Sequence, residues 1–216
     1  IWAILRKLNQ PLTAYLIIAT IPAVMFALVF KKPLEKAFET GQFLGFAFVL
    51  TSALLVTAEL LSKRAAVGGA AGGNLKKPGE MNWLDALIIG ILQAVAIIPG
   101  VSRSGATLSG ALSRRLNRDF AARFSFLLSI PAILGAAVLQ LNDLVKGGDA
   151  AASPVSGGIG TAAIIAGTLS AAIVGFIAIR LMLKIVREKS LWGFAIYTGI
   201  LGLLVLIDQL ATHLVF

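Results

Sequence analysis

The chain has no cysteine, a single histidine and little charge: aspartate, glutamate, lysine and arginine make up 13% of its 216 residues. Without cysteine there is no disulfide and no thiolate metal ligand, and cysteine usage leaves the compartment open. The low charge excludes an ordinary soluble domain, in which about a quarter of residues are charged. Also absent at the start are a methionine, a basic leader and a small-residue cleavage site. No signal peptide is therefore visible, and a chain opening on Ile1 is expected to be a piece of a longer one.

What is abundant is apolar. Hydrophobic residues reach 58% and the mean hydropathy is +0.91, values that belong to an integral membrane protein. Runs long enough to span occur at Leu12 to Phe30, Phe43 to Leu61, Phe120 to Leu141, Ile159 to Leu183 and Leu191 to about Leu210. The expected fold class is all-α, a polytopic membrane helix bundle with five full spans, forming one domain over residues 1–216.

A sixth apolar stretch, Leu84 to Ile98, has 15 residues. At 1.5 Å per residue it reaches about 22 Å into a hydrocarbon core roughly 30 Å thick. It stops at Pro99-Gly100, and after Val101-Ser102-Arg103-Ser104-Gly105-Ala106 a second short helix runs over Thr107 to Leu112 before Ser113-Arg114-Arg115. The shape expected for residues 84–112 is a re-entrant helix-loop-helix.

Charge bias separates turning back from crossing, because lysine and arginine concentrate in cytoplasmic loops. If the element turns back, one side collects Arg6, Lys7, Lys63, Arg64, Lys76, Lys77, Arg114, Arg115, Arg118, Lys184, Arg187 and Lys189. The other holds only Lys31, Lys32, Lys36 and Lys146. If it crosses, the later loops change sides and the bias vanishes. The re-entrant reading puts loops 1–11, 62–83, 113–119 and 184–190 in the cytoplasm and the C-terminus outside. The net charge of +9 then serves topology and anionic headgroups, not nucleic acid.

An arginine at membrane depth is costly and marks a site by default. Non-helical backbone there must be buried by protein or line a polar cavity. The chemistry around it suits an anion. Pro99 and Gly100 end the first half-helix, Gly105 admits close backbone approach, and Ser102 and Ser104 can cap the second half-helix. Free N–H groups at that helix start favour phosphate, and the planar fork of Arg103 matches its oxygens in bidentate geometry. Thr107, three residues beyond Ser104, can turn its hydroxyl to the same pocket. The plainer alternative is a broken helix whose arginine pairs with a buried carboxylate or reaches to the interface. Gly105/Ser109 and Ala106/Gly110 also read as small-residue helix packing.

The stretch from Ala86 through Gly90, Gln93, Ala96, Pro99-Gly100-Val101-Ser102-Arg103-Ser104-Gly105 to Thr107 resembles the second signature of the undecaprenyl-diphosphate phosphatase family of the bacitracin-resistance type. Phe124-Ser125-Phe126-Leu127-Leu128-Ser129-Ile130-Pro131-Ala132 resembles the next helix of that family, Ile21-Pro22-Ala23 an earlier one, and Phe194-Ala195-Ile196-Tyr197 the start of its last. The resemblance implies hydrolysis of polyprenyl diphosphate, C55 in bacteria, to the monophosphate and phosphate. That reaction recycles the lipid carrier of wall synthesis and gives bacitracin resistance. It further implies a divalent cation, magnesium or calcium, and a place in the bacterial inner membrane; a homodimer is an open assembly state. Carried over, Arg103 holds the diphosphate with Ser102 and Ser104 donating to its oxygens. Gly100, Gly105, Thr107 and Gln93 line or shape the pocket, and Gln93 reads equally as a core residue.

The first signature of that family, a re-entrant loop with two glutamates, a serine cluster and a histidine, is not found in this chain. Families of this kind pair inverted halves, each a re-entrant element with three spans. Three spans follow the motif here and two precede it. One span and one loop, roughly 50 to 70 residues, are therefore expected ahead of Ile1, with the metal-binding carboxylates among them.

The acidic residues present have plainer readings. Glu59 reads as an interfacial ion pair with Lys63 and Arg64, Asp85 as favouring the start of its half-helix, and Asp119 as a cap and loop partner among arginines. His213 reads as interfacial. Residues 65–79 and 146–158 are glycine-rich connections. The rival function is a lipid flippase or anion transporter, because carriers also aim broken helices at anions.

With no native cysteine, single cysteines report topology cleanly. Lys77→Cys and Arg115→Cys are expected to react with an impermeant maleimide from one side of the membrane and Lys36→Cys from the other. Labelling of positions 77 and 115 from opposite sides would refute the re-entrant reading.

Overall fold

A computed structural model describes residues 11–41, 43–67, 75–145 and 161–212. The N-terminal residues with Arg6 and Lys7, residues 68–74 of the 65–79 connection, the 146–158 connection and His213 lie outside the described residues. The helices are α1 (Pro11–Val29), α2 (Lys31–Thr40), α3 (Leu44–Val67), α4 (Trp83–Val95), α5 (Arg103–Ser113), α6 (Arg118–Val145), α7 (Thr161–Glu188) and α8 (Trp192–Ile207). A 3-10 turn over Pro78–Glu80 precedes α4, and a π turn over Asp208–Thr212 follows α8. Among the described residues there is no strand, only an isolated bridge between Lys76 and Leu116.

Among the described residues five helices are long and apolar enough to cross a membrane: Pro11–Val29, Leu44–Lys63, Arg118–Val138, Ala162–Glu188 and Trp192–Leu210. They coincide with the five runs expected from hydropathy, so the fold is an all-α polytopic bundle. Its exposed surface carries Ile173, Phe176, Ile177, Leu203 and Leu204, an exterior suited to hydrocarbon. Almost the whole α7 span faces outward, Val186 near its end being the one residue with described burial that is buried within the protein.

α2 was not expected; three lysines and Pro33 make residues 31–40 look like a polar connector. A helix forms because proline is tolerated in a first turn, because Leu34, Ala37 and Phe38 share one face, and because Gly41 closes the end at φ 62°.

α4 and α5 make an antiparallel hairpin at the centre of the bundle. α4 opens with a capping box: Asn82 Oδ1 accepts from Asp85 N at 2.9 Å, and Asp85 Oδ2 accepts from Asn82 N at 3.1 Å. The hairpin ends meet again at its mouth. Lys76 N donates to Arg115 O at 2.8 Å, and Asn117 N donates to Lys76 O at 3.0 Å. Asp85, fully buried there, takes Lys76 Nζ at 2.8 Å and Arg114 Nε at 2.8 Å. The chain therefore leaves the hairpin where it entered.

α1 packs along α4 through Gly90, where a Cβ would stand 2.5 Å from the Ala19 carbonyl oxygen. α3 and α8 embrace the other side, joined by Ser52 Oγ donating to Ala195 O at 2.7 Å. The buried cluster of Leu16, Ile89, Leu108, Leu112, Phe124 and Leu128 wraps the hairpin.

Burial works against the charge of Asp85, but the hydrogen bonds from Lys76, Arg114 and the Asn82 N–H outweigh it and hold its carboxyl below the ordinary aspartate value. Such a group stabilises the fold above its unfolded pKa, and that contribution is lost as pH falls through the lower folded value. Asp85→Asn is expected to cost about 2 kcal/mol near neutrality, short of the fully buried figure because Lys76 and Arg114 reach solvent. The gap between wild type and variant should close on acidification, read from unfolding midpoints in detergent; a gap independent of pH would contradict it.

Candidate functional site

The turn between α4 and α5 is tight. Ile97 N bonds Ala94 O, Ile98 N bonds Val95 O, and Val101 N bonds Ile98 O. Gly100 takes φ +89°, and a Cβ there would stand 2.8 Å from Leu44 and 2.9 Å from Ala47 side-chain carbons, so this position needs glycine twice over. Helix then resumes earlier than expected. Ser102 is the N-cap, its Oγ accepting from Gly105 N at 3.2 Å, so Arg103 and Ser104 lie in the first helical turn rather than in a loop.

The N–H groups of that turn divide cleanly. Ser102 N donates to Thr51 Oγ1 at 3.0 Å, Gly105 N is taken by Ser102, and Ala106 N bonds Ser102 O at 2.9 Å. The N–H groups of Arg103 and Ser104 remain as donors at the positive end of α5.

A cavity of about 100 Å³ opens beside this helix start, lined by Ser102, Ser104, Gly105 and Leu108 from the hairpin. Thr51 and Leu55 of α3, Ser125 and Phe126 of α6, Met182 of α7, and Phe194 and Thr198 of α8 complete it. Hydroxyls thus face an otherwise apolar wall. Ser102 Oγ and Ser104 Oγ stand 3.5 Å apart.

Of the residues singled out by sequence, Ser102, Ser104 and Gly105 line this cavity. Arg103 and Thr107 do not; Thr107 sits fully buried, its Oγ1 donating to Arg103 O at 2.9 Å and touching Ser125 Oγ. Arg103 and Thr107, four residues apart, share a helical stripe about 100° from that of Ser104 and Leu108. Gly100 faces a second cavity of about 420 Å³ with Phe38, Thr40 and Leu44. Gln93 is buried in α4 with neither amide atom hydrogen-bonded. Thr51, Ser125 and Thr198 were missed, and the only available signal was a hydroxyl interrupting an apolar span.

Arg103 carries the decisive electrostatics. Its Nη2 is buried without a hydrogen-bond partner. Each carboxylate the sequence reading weighed is committed elsewhere. Asp85 belongs to Lys76 and Arg114, and Asp119 to Arg123 at 3.0 Å and Arg187 at 2.8 Å. Glu59, expected beside Lys63 and Arg64, stands 3.8 Å from Lys63 but binds chiefly elsewhere: Arg118 Nη2 at 3.0 Å, Ser190 Oγ at 2.9 Å and Leu191 N at 3.2 Å. It is buried, so this is a joint between α3, α6 and the α7–α8 corner, not a surface pair. A cation left without a counter-charge in an apolar setting is a place for an anion.

A sequence profile described as bacitracin resistance protein BacA matches residues 2–204. The chain belongs to the BacA family. An undecaprenyl-diphosphatase of Carboxydothermus hydrogenoformans is 42% identical over 98% of this chain and 75% of its own length. Undecaprenyl-diphosphatase 4 of Bacillus thuringiensis subsp. konkukian is 42% identical over 90% of this chain and 68% of its own. An undecaprenyl-diphosphatase of Methanothermobacter thermautotrophicus is 40% identical over 88% of this chain and 96% of its own. The BacA match contains every residue of the cavity. With its five long apolar helices, this BacA-family chain is a multi-pass membrane protein.

The two serines separate stability from chemistry. Ser102→Ala removes an N-cap and is expected to lower stability by about 1 kcal/mol, whereas Ser104→Ala, whose hydroxyl caps nothing, should leave the unfolding midpoint unchanged. Equal destabilisation by both would contradict the assignment of the cap.

Proposed function

We propose that the chain is a membrane hydrolase that converts undecaprenyl diphosphate to undecaprenyl phosphate and inorganic phosphate, recycling the wall-synthesis lipid carrier and giving bacitracin resistance. In net terms the bridging P–O bond breaks, the lipid monophosphate leaves, and the terminal phosphoryl group ends as inorganic phosphate with its fourth oxygen from water. The observation that carries the reading is the buried, unpaired guanidinium edge of Arg103 at the start of α5, flanked by two cavity serines in a chain of this family.

In this reading Arg103 neutralises charge on the diphosphate and stabilises what develops on its oxygens as the bond breaks. The N–H groups of Arg103 and Ser104 point from the same helix end. Ser102 has its lone pair engaged by Gly105 N, so its proton is free for a phosphate oxygen. Ser104 adds a second hydroxyl. Gly100 shapes the turn, Gly105 leaves room for the Ser102 cap, and Thr107 braces the helix from within. The unbonded amide of Gln93 fits a polar contact made when substrate is bound. Phe126, Met182 and Phe194 offer an apolar wall to the first part of the prenyl chain.

The resemblance also implies magnesium or calcium. The residues present do not fit such an ion: among the described residues no three His, Asp or Glu side chains cluster, and Glu59, Asp85 and Asp119 are held by cations. No step is assigned to a metal here.

The same reading takes α4 and α5 as re-entrant from the cytoplasmic side of a bacterial inner membrane, with loops 62–83, 113–119 and 184–190 near anionic headgroups and the C-terminus outside. Thr51 lies seven residues from Leu44 and twelve from Lys63, so the hydroxyls sit about 10 Å from one end of the span and about 18 Å from the other. The cavity is thus nearer the outer end.

In full-length protein in detergent with polyprenyl diphosphate and a divalent cation, Arg103→Ala is expected to lower phosphate release at least about a hundredfold. Wild-type protein that binds the lipid but releases no phosphate with any divalent cation would overturn the hydrolase reading and favour a flippase or transporter.

A further inference from the structure

We infer that Thr51 and Ser125 are positioning residues that hold the start of α5 from two different helices, α3 and α6, and so fix the direction in which Arg103 and its neighbouring N–H groups point. The kinetic part of this inference rests on the function proposed above; the geometric part does not.

The α3 grip acts on a donor. Thr51, buried in the span, gives its own proton to Ala47 O at 2.9 Å, which leaves a lone pair for the Ser102 N–H at 3.0 Å. Ser102 immediately precedes α5, so its N–H has no carbonyl one turn back inside that helix. Without Thr51 it would be a buried, unpaired donor.

The α6 grip acts on an acceptor. Thr107 has one hydroxyl proton, and the 2.9 Å bond to Arg103 O takes it. The contact between Thr107 and Ser125 must then be donated by Ser125, which sets the order Ser125 to Thr107 to the Arg103 carbonyl. With the N–H of Ser102 held by α3 and the C=O of Arg103 held through α6, the backbone dihedrals of these two residues are determined from both ends. Those dihedrals aim the Arg103 side chain and the free N–H groups. α3 and α6 are long helices of the kind that can span a membrane, so the two contacts tie the start of α5 to the main body of the bundle. Both gripping residues also line the cavity, where Ser125 presents lone pairs while Ser102 presents a proton.

The test uses full-length protein in detergent with Thr51→Val and Ser125→Ala, the hydroxyl-keeping Thr51→Ser and Ser125→Thr, and Thr168→Val as control. Thr168 makes the same kind of bond, to Ile164 O at 2.8 Å, on exposed α7. Backbone amide exchange over residues 102–107 is read without substrate, and kcat and KM for phosphate release from polyprenyl diphosphate are read separately. Thr51→Val and Ser125→Ala are each expected to speed exchange at 102–107 about tenfold and lower kcat about tenfold, with KM within about twofold. Thr51→Ser, Ser125→Thr and Thr168→Val should match wild type in both readouts. Unchanged exchange at 102–107, exchange raised equally through α1 and α6, or kcat unchanged despite faster exchange would each overturn the inference. A wild-type protein that releases no phosphate overturns the proposed function instead, and the exchange data still decide the grip.

Discussion

A peptide group inside an apolar bundle has no water to turn to, and this constraint governs the hairpin more than any side-chain contact does. Seven residues between α4 and α5, 96–102, leave regular helix, and their N–H and C=O groups must be satisfied locally or by neighbours. The turn does this with its own tight bonds up to Val101, with Thr51 at Ser102, and with the Ser102 side chain at Gly105. What remains unsatisfied is the guanidinium edge of Arg103, the amide of Gln93, and the N–H groups that begin α5. The donors left over at the start of α5 and on Arg103 are of the kind a phosphate would take up.

Charge is distributed with the same economy. The carboxylates Glu59, Asp85 and Asp119 gather near the hairpin mouth and the α7–α8 corner, each bonded to arginine or lysine. These pairs lock α3, α6 and the hairpin in register at one end of the bundle. At the other end the turn carries no acid at all. The separation matters because a carboxylate within reach of Arg103 would neutralise it and compete with an anion.

Much of this was legible in the sequence, and the reasons are physical. Five spans could be read because about 20 apolar residues have few other uses, and the hairpin because a 15-residue run cannot cross. Charge bias favoured turning back over crossing, and separately the bonds joining Lys76 to Arg115 and Asn117 close the mouth of the hairpin. α2 was illegible because its polarity is that of a loop and its apolar face has only three residues. The partners of the site were illegible for a different reason. Thr51 and Ser125 are single hydroxyls within long helices, and which side of a lipid-bathed helix faces protein is poorly marked when both sides are apolar. The buried role of Glu59 was hidden too, because Lys63 one turn away offered a sufficient partner, whereas Arg118 and Ser190 lie far along the chain.

The stitched mouth of the hairpin has a consequence for how such a chain is made. Asp85, Lys76, Arg114 and Arg115 sit together where the hairpin begins and ends, so in the proposed topology none of them has to be carried through hydrocarbon during biogenesis. The hairpin can enter as a preassembled wedge, its two limbs already joined at the surface of origin. Only one formal charge, that of Arg103, travels inward with the tip. The insertion machinery then meets a single unfavourable passenger at the tip of a mostly apolar hairpin.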